Sequence, residues 1–207
     1  MRYGLLALLV PVALAGCAGD PQPDPPAATT TAAATTTAVA LDPRDVQESW
    51  WSWAAGSPSG RNPVEDTTGE HCAVNQPATG RWFLAGSFGE RVDRSCTVPA
   101  GRALVIPGVN TVCSDEAECA EFMATHTGSV RVDGVEARMH EWSGSDVVVT
   151  GVDENPVSGE AGRFRGHACG RWAVVDPLPP GKHTVEVRGR GPSFEVDVDY
   201  VLTVVGL

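Results

Sequence analysis

Positive charge is scarce in this chain. Its 207 residues hold 15 lysines and arginines against 26 aspartates and glutamates, a formal net charge of −11 at pH 7. An acidic surface repels phosphate backbones and anionic head groups, which excludes nucleic acid as the expected partner and a basic patch as the route to a membrane. No long apolar run is present. The one at residues 4–15 is roughly a dozen residues, too short for a helix to cross a hydrocarbon core of about 30 Å, and Pro11 interrupts it. Signatures of metal and nucleophile chemistry are missing as well. There is no Cys-x-x-Cys, His-x-His, Gly-x-Ser-x-Gly or Ser-x-x-Lys, and His140-Glu141 lacks the second histidine of a zincin. A zinc centre of the usual spacing, or any other metal, is therefore not expected, and no cofactor motif is visible. Paired glycosidase carboxylates have no fixed spacing in sequence, so that chemistry stays open. No repeat of 20–50 residues occurs.

What is there begins with MRYGLLALLVPVALAGCAGD. One cation, a short apolar core and small residues before a break make a secretory signal peptide over 1–16. The break, Leu14-Ala15-Gly16-Cys17, resembles the bacterial lipobox. That resemblance implies that Cys17 becomes the lipid-modified first residue of the mature protein, carrying palmitate-class acyl chains. One acyl chain holds a protein only marginally, at about 0.8 kcal/mol per buried CH₂, whereas two or three anchor it stably. The expected address is the extracytoplasmic face of the cell membrane, reached through the lipid. Residues 17–40, almost without large apolar side chains, are then a Pro/Ala/Thr-rich tether that cannot offset its own ordering entropy. Its threonines suit O-linked sugars on composition alone.

Residues 41–207 are enough for one domain with a core. Asp42-Pro43-Arg44-Asp45 reads as a helix start, with Val46, Trp50 and Trp53 on one face and an end near Gly56. Turn chemistry fills 56–72. Strands are predicted over 81–85, 102–106 (apolar throughout, hence buried on both faces, and halted by Pro107-Gly108), 129–132, 135–138, 146–152, 172–175 and 183–188. Asp133-Gly134 is a two-residue hairpin signal. Residues 115–125 read as a second short helix. From Phe194 to Thr203 apolar and polar residues alternate with period 2. Many short strands and two short helices predict a mainly β protein, an antiparallel β-sandwich of immunoglobulin or jelly-roll type.

Six cysteines are present, and beyond Cys17 an odd number remains. Export favours disulfides. Closeness in sequence favours Cys72–Cys96 and Cys113–Cys119 and leaves Cys169 as the free thiol.

Three groups of side chains are candidate sites. Glu65, Asp66, Glu70 and His71 cluster before Cys72 and have the chemistry of an acid–base pair or a divalent-ion site, with Gln76 and Asn110 as neighbours. The simpler reading has Asp66 and Thr67 capping a turn. Trp51 lies about 100° around the helix from the Trp50/Trp53 face and is the candidate ligand-facing ring; Trp82, Trp142 and Trp172 read as core or rim. Glu195, Asp197 and Asp199 line one face of the last strand, where cross-strand pairing with Arg188 and Arg190 is simpler than a calcium site.

NPVEDTTGEHC, WFLAG, CTVPAG, VRVDGVEA and PLPPGKH together resemble a group of exported bacterial β-rich lipoproteins for which no activity is assigned. The resemblance implies one secreted β domain with Cys72 paired to Cys96, treats Cys169 as an addition to the pattern, and carries over no catalytic residue. The expectation is a lipid-anchored envelope protein that binds cell-wall polysaccharide or another envelope protein, leaning away from an enzyme. A carbohydrate-active or metal-dependent hydrolase using Glu65, Asp66, Glu70 and His71 is the alternative, and a purely structural envelope protein the third.

Overall fold

The computed structural model describes residues 41–206. The leader at 1–16, the lipidation residue Cys17 and the tether to residue 40 lie outside the described residues.

The first helix, α1 (Pro43–Ala54), begins where the sequence placed it. Asp42 is its N-cap and accepts a hydrogen bond from the Arg44 amide at 3.0 Å, with Pro43 at the first helical position. The strands divide between two sheets. One sheet runs in the order β1 (Arg81–Phe83), β3 (Ala103–Cys113), β7 (Gly162–Val175), β6 (Met139–Gly151). The other runs β2 (Arg91–Pro99), β9 (Glu195–Val205), β8 (Gly181–Arg190), β4 (Thr127–Val132), β5 (Val135–Glu136). A second helix, α2 (Glu116–Thr125), links β3 to β4. The result is the expected mainly β sandwich with two short helices. The sheets are mixed, however, because β1 runs parallel to β3 and β2 parallel to β9.

The central core lies between the sheets, with Leu104 and Ile106 of β3 meeting Val92 and Val98 of β2, Val185 and Val187 of β8, and Val198 and Leu202 of β9. On the opposite face of the first sheet, α1 lays Val46, Trp50 and Trp53 against Phe83, Val105 and Trp172. Residues 104–106 are thus buried on both faces, as their unbroken apolar run predicts. Each of these side chains contributes roughly 1.5–3 kcal/mol by leaving water. The polar face of α1 also protects an edge. Glu48 accepts a hydrogen bond from the Val148 amide at 2.9 Å, and the Ser52 hydroxyl one from the Thr150 amide at 3.1 Å. Both amides belong to β6, the outer strand of its sheet.

The sequence reading misses three features of the fold. Strand β3 does not stop at Pro107-Gly108; it continues to Cys113 through a register shift between Pro107 and Val109. Gly108 is needed there for a close approach. A Cβ on it would lie 3.0 Å from the Gly128 carbonyl carbon, and one on Gly128 2.9 Å from that of Gly108. The two sheets touch backbone to backbone at this crossing. Second, β2 alternates inward and outward along its whole length, but the inward series Val92, Arg94, Cys96, Val98 contains an arginine that hides the pattern. Third, β6 and β7 extend well beyond the predicted 146–152 and 172–175.

The hairpin is as expected: Val132 pairs with Val135 across Asp133-Gly134, whose φ values of 49° and 77° suit a turn with both central residues left-handed. The ion pairs of the last strand also form. Arg188 reaches Asp197 at 3.1 Å and Asp199 at 2.6 Å, and Arg190 reaches Glu195 at 2.8 Å. Arg91 joins from β2 on the other side, 2.9 Å from Asp199.

Cys72 and Cys96 are bridged, with Cα atoms 5.9 Å apart, and the bridge sits in the central core. The other expected pairing is corrected. Cys119 is joined to Cys169, not to Cys113, and among the described residues the free cysteine is Cys113, not Cys169. The reason lies in the fold. Cys119 is the one buried residue of α2, and the helix presses it onto β7, where Cys169 is fully buried. Cys113, at the end of β3, lies across from His167, two residues along β7.

Candidate ligand pocket

Residues from α1, β3, β9 and four loops line a pocket of about 70 Å³. Trp50, Trp51, Val64, Phe88, Val109 and Phe194 make most of its wall. Its aromatic side is built by α1. Trp50 packs edge-on against Trp51 with ring centroids 5.0 Å apart and against Trp172 at 5.5 Å. The Trp50 indole N–H is fixed by a 3.0 Å hydrogen bond to the Leu84 carbonyl. Trp51, the ring singled out from the sequence, is half-buried and belongs to this wall. Phe88, 49% exposed, faces both pocket and solvent.

Two wall residues carry N–H groups without a partner among the described residues, the Trp51 indole nitrogen and the Asn110 amide nitrogen. A buried donor left unpaired costs roughly 1–3 kcal/mol, so each is a standing deficit; both nitrogens lie beneath the surface of the wall, and an acceptor in the pocket reaches them where the wall yields. Among the described residues, the wall is mostly apolar and aromatic, with Ser87 and Asn110 as its polar side chains.

The loop side of the pocket hangs on Arg94, which the sequence reading overlooks. Arg94 is 2% exposed, and no carboxylate pairs with it among the described residues. Its guanidinium donates instead to the carbonyls of Val64 (2.8 Å), Ala85 (3.1 Å) and Gly86 (2.8 Å), to that of Asp66, and to the Tyr200 hydroxyl (2.8 Å). Tyr200 in turn donates to the Ala85 carbonyl at 2.9 Å and accepts from the Ala85 amide at 3.2 Å. Val64 and Gly86, both wall residues, are thereby tied to β2 and β9 through one side chain. An arginine at an inward position of an alternating strand was the available signal for such a hub. Val157 closes the far side, and its amide donates to Asn155 Oδ1 at 3.0 Å.

The acidic cluster before Cys72 does not converge on a site. Asp66 accepts from the amides of Thr68, Gly69 and His71 and from the Thr68 hydroxyl. Burial pushes its carboxyl up, but these hydrogen bonds outweigh that and hold it below the usual carboxylate range. It caps a turn. Glu65 accepts from the Ser59 hydroxyl at 3.0 Å and the Gly60 amide at 3.2 Å; Glu70 is exposed and His71 half-buried. Gln76 is not a neighbour of Asn110 in a common site. It mimics a strand, exchanging hydrogen bonds with both the amide and the carbonyl of Phe83 at 2.8 Å. Among the described residues, the one group of three or more histidine, cysteine, aspartate or glutamate side chains close enough to share an ion is Cys113, Cys119 and Cys169, two of which are bridged.

No protein-family model matches the chain, and no curated protein is detectably similar to it.

Proposed function

We propose that this protein is a lipid-anchored, extracytoplasmic binding module of the cell envelope. The lipobox at Leu14–Cys17, the tether and the acidic charge balance support the address. The observation that carries the binding role is the apolar pocket whose Trp51 and Asn110 hold unpaired N–H donors. A cavity of about 70 Å³ takes a group of a few heavy atoms rather than a whole ligand. The group it suits is apolar at one end and carries an acceptor beside it. An acetamido group has that make-up, with a methyl for the Trp and Val surfaces and a carbonyl oxygen for an N–H. N-acetylated wall polysaccharide is therefore the ligand class that fits both the pocket and the proposed address.

The test uses residues 41–207, whose described part, 41–206, forms a compact unit. The purified domain is mixed with N-acetylated peptidoglycan and with chemically de-N-acetylated peptidoglycan, and pelleting and soluble fragments are both measured. Saturable pelleting with the acetylated form alone is expected, with no fragments released. Trp51→Ala should weaken it roughly tenfold, the loss of one well-packed aromatic anchor. Equal pelleting with both forms removes the acetamido assignment, no pelleting removes the wall-binding role, and released sugars replace it with the hydrolase. The anchor is tested separately: Cys17→Ser should abolish acyl labelling in cells and shed the protein from the membrane.

A further inference from the structure

The second disulfide is out of reach of solvent, yet a thiol stands beside it. Cys119 and Cys169 are both 0% exposed. Cys113 is half-buried, and its sulfur lies 4.0 Å from that of Cys169. All three sulfurs fall within 4.8 Å of one another. The arrangement follows from the register. Thr111 of β3 pairs with Cys169 of β7, so Cys113, two residues further, is on the same face of the sheet and diagonal to Cys169. Helix α2 sets Cys119 down on that face.

We propose that Cys113, Cys119 and Cys169 form a thiol–disulfide relay through which external thiols reach the buried bond. In the first step the Cys113 side chain turns to bring its sulfur in line with the Cys119–Cys169 bond and, as thiolate, attacks the sulfur of Cys169. The Cys113–Cys169 bond forms, the Cys119–Cys169 bond breaks, and the electron pair leaves on Cys119, which takes up the proton that Cys113 released to water. One disulfide is exchanged for another and no oxidant is consumed. The bond now ends on the one cysteine of the three that is not fully buried. In the second step a monothiol in solution attacks Cys113, giving a mixed disulfide on Cys113 and a free thiol on Cys169. A second monothiol then releases Cys113. The net change is two cysteine thiols gained inside the protein and one external disulfide formed, so electrons balance.

The surroundings set the pace of the first step. Burial, together with the charges of Glu118 and Asp115, raises the Cys113 thiol above its ordinary range, so the thiolate is scarce at neutral pH and the exchange accelerates as pH rises. Beside the relay, Arg44 and Arg165 line a polar cleft of about 320 Å³ with Ser114, the residue after Cys113, and with His167 and Asp146, which lie 3.0 Å apart. Its two arginines suit a monothiol that carries carboxylates.

The test follows reduction of the full-length protein by glutathione under native conditions, by alkylation and peptide mass mapping. Wild type is expected to lose the Cys119–Cys169 bridge at least tenfold faster than Cys113→Ser, and the trapped mixed disulfide should sit on Cys113. The Cys72–Cys96 bridge should be reduced at the same rate in both proteins, and in unfolding urea the difference at Cys119–Cys169 should vanish. A Cys119→Ser variant should carry a Cys113–Cys169 bond. Equal native rates in wild type and Cys113→Ser, or glutathione trapped first on Cys119 or Cys169, would overturn the relay. The Cys119→Ser result keeps the test independent of how well Cys113→Ser folds: free thiols at both Cys113 and Cys169 there would also sink it.

Discussion

The two bridges hold different kinds of structure. Cys72–Cys96 fastens a turn-rich segment to β2, and that segment has other ties: Arg94 donates to the Val64 and Asp66 carbonyls, Asp66 organises residues 68–71, and Gln76 pairs with Phe83. Cys119–Cys169 fastens a helix that buries no other residue. Beyond the bridge, α2 is held by Arg171, which donates to the carbonyls of Met123 at 3.1 Å and His126 at 3.0 Å. The first bridge is one tie among several, and the second is the main tie of its element. Where a segment has polar ties of its own, a disulfide adds to them; where an amphipathic face is lacking, it stands in for the core.

The largest effect is therefore expected at α2. The chain-entropy value for the Cys119–Cys169 loop, 50 residues apart in sequence, is ~4 kcal/mol, against ~3 kcal/mol for Cys72–Cys96, 24 apart. Cys119→Ala with Cys169→Ala should lower stability to urea by the larger amount and release the amides of 116–125 to fast hydrogen exchange. The Cys72/Cys96 double variant should keep protection at 68–71. Equal loss of protection in both would break the contrast.

Next is Arg94→Met, expected to cost about 3 kcal/mol, because it strands the carbonyls of Val64, Asp66 and Gly86. Combined with loss of Cys72–Cys96, the cost should exceed the sum of the two by 0.5 kcal/mol or more in a double-mutant cycle, since both hold one segment. Additivity would show the ties to be independent. Gly128→Ala should cost about 2 kcal/mol by forcing apart the crossing with Gly108, read as a lower urea midpoint at unchanged slope.

The smallest effect depends on pH. The His183 ring nitrogens lie 2.7 Å from Asp133 Oδ2 and 2.9 Å from the Pro179 carbonyl, so the charged imidazole can donate twice. The Asp133 hydrogen bond, then that to Pro179, raises the His183 pKa above 6.5. The hydrogen bond from His183, then that from the Thr184 amide, lowers Asp133 below 3.8. The histidine contribution is full below pH 6.5 and fades as pH rises through the elevated value; the aspartate contribution is full above pH 3.8 and fades as pH falls through the depressed one. The pair therefore stabilises most between those limits. His183→Ala should narrow the stability difference between pH 5.5 and pH 8.5, and an NMR titration should place His183 above an unstructured histidine.

The legible parts of the fold were those governed by local chemistry. Asp42 and Pro43 marked α1, Asp133-Gly134 marked the hairpin, and the period-2 run after Phe194 marked the last strand. The Asp66 cap was legible for the same reason. What escaped was set by tertiary contact. Arg94 broke the apolar alternation of β2 because its cage comes from three other parts of the chain, the carbonyls of 64–66 and 85–86 and the Tyr200 hydroxyl. The partner of Cys119 depended on where α2 lands, which six residues of separation from Cys113 do not reveal. Trp51 was identified as a candidate, but Asn110 reaches the same wall only because β3 runs on past Pro107-Gly108.

The acceptors that α1 offers to β6 have a counterpart elsewhere. The Ser95 amide on β2 is taken by the Thr68 carbonyl, while the remaining outer strands, β1 and β5, are three and two residues long. Both long outer strands, β2 and β6, thus have edge amides already taken by groups of this chain. Each amide so taken is one donor fewer for a second chain, which shortens the template that cross-β growth needs.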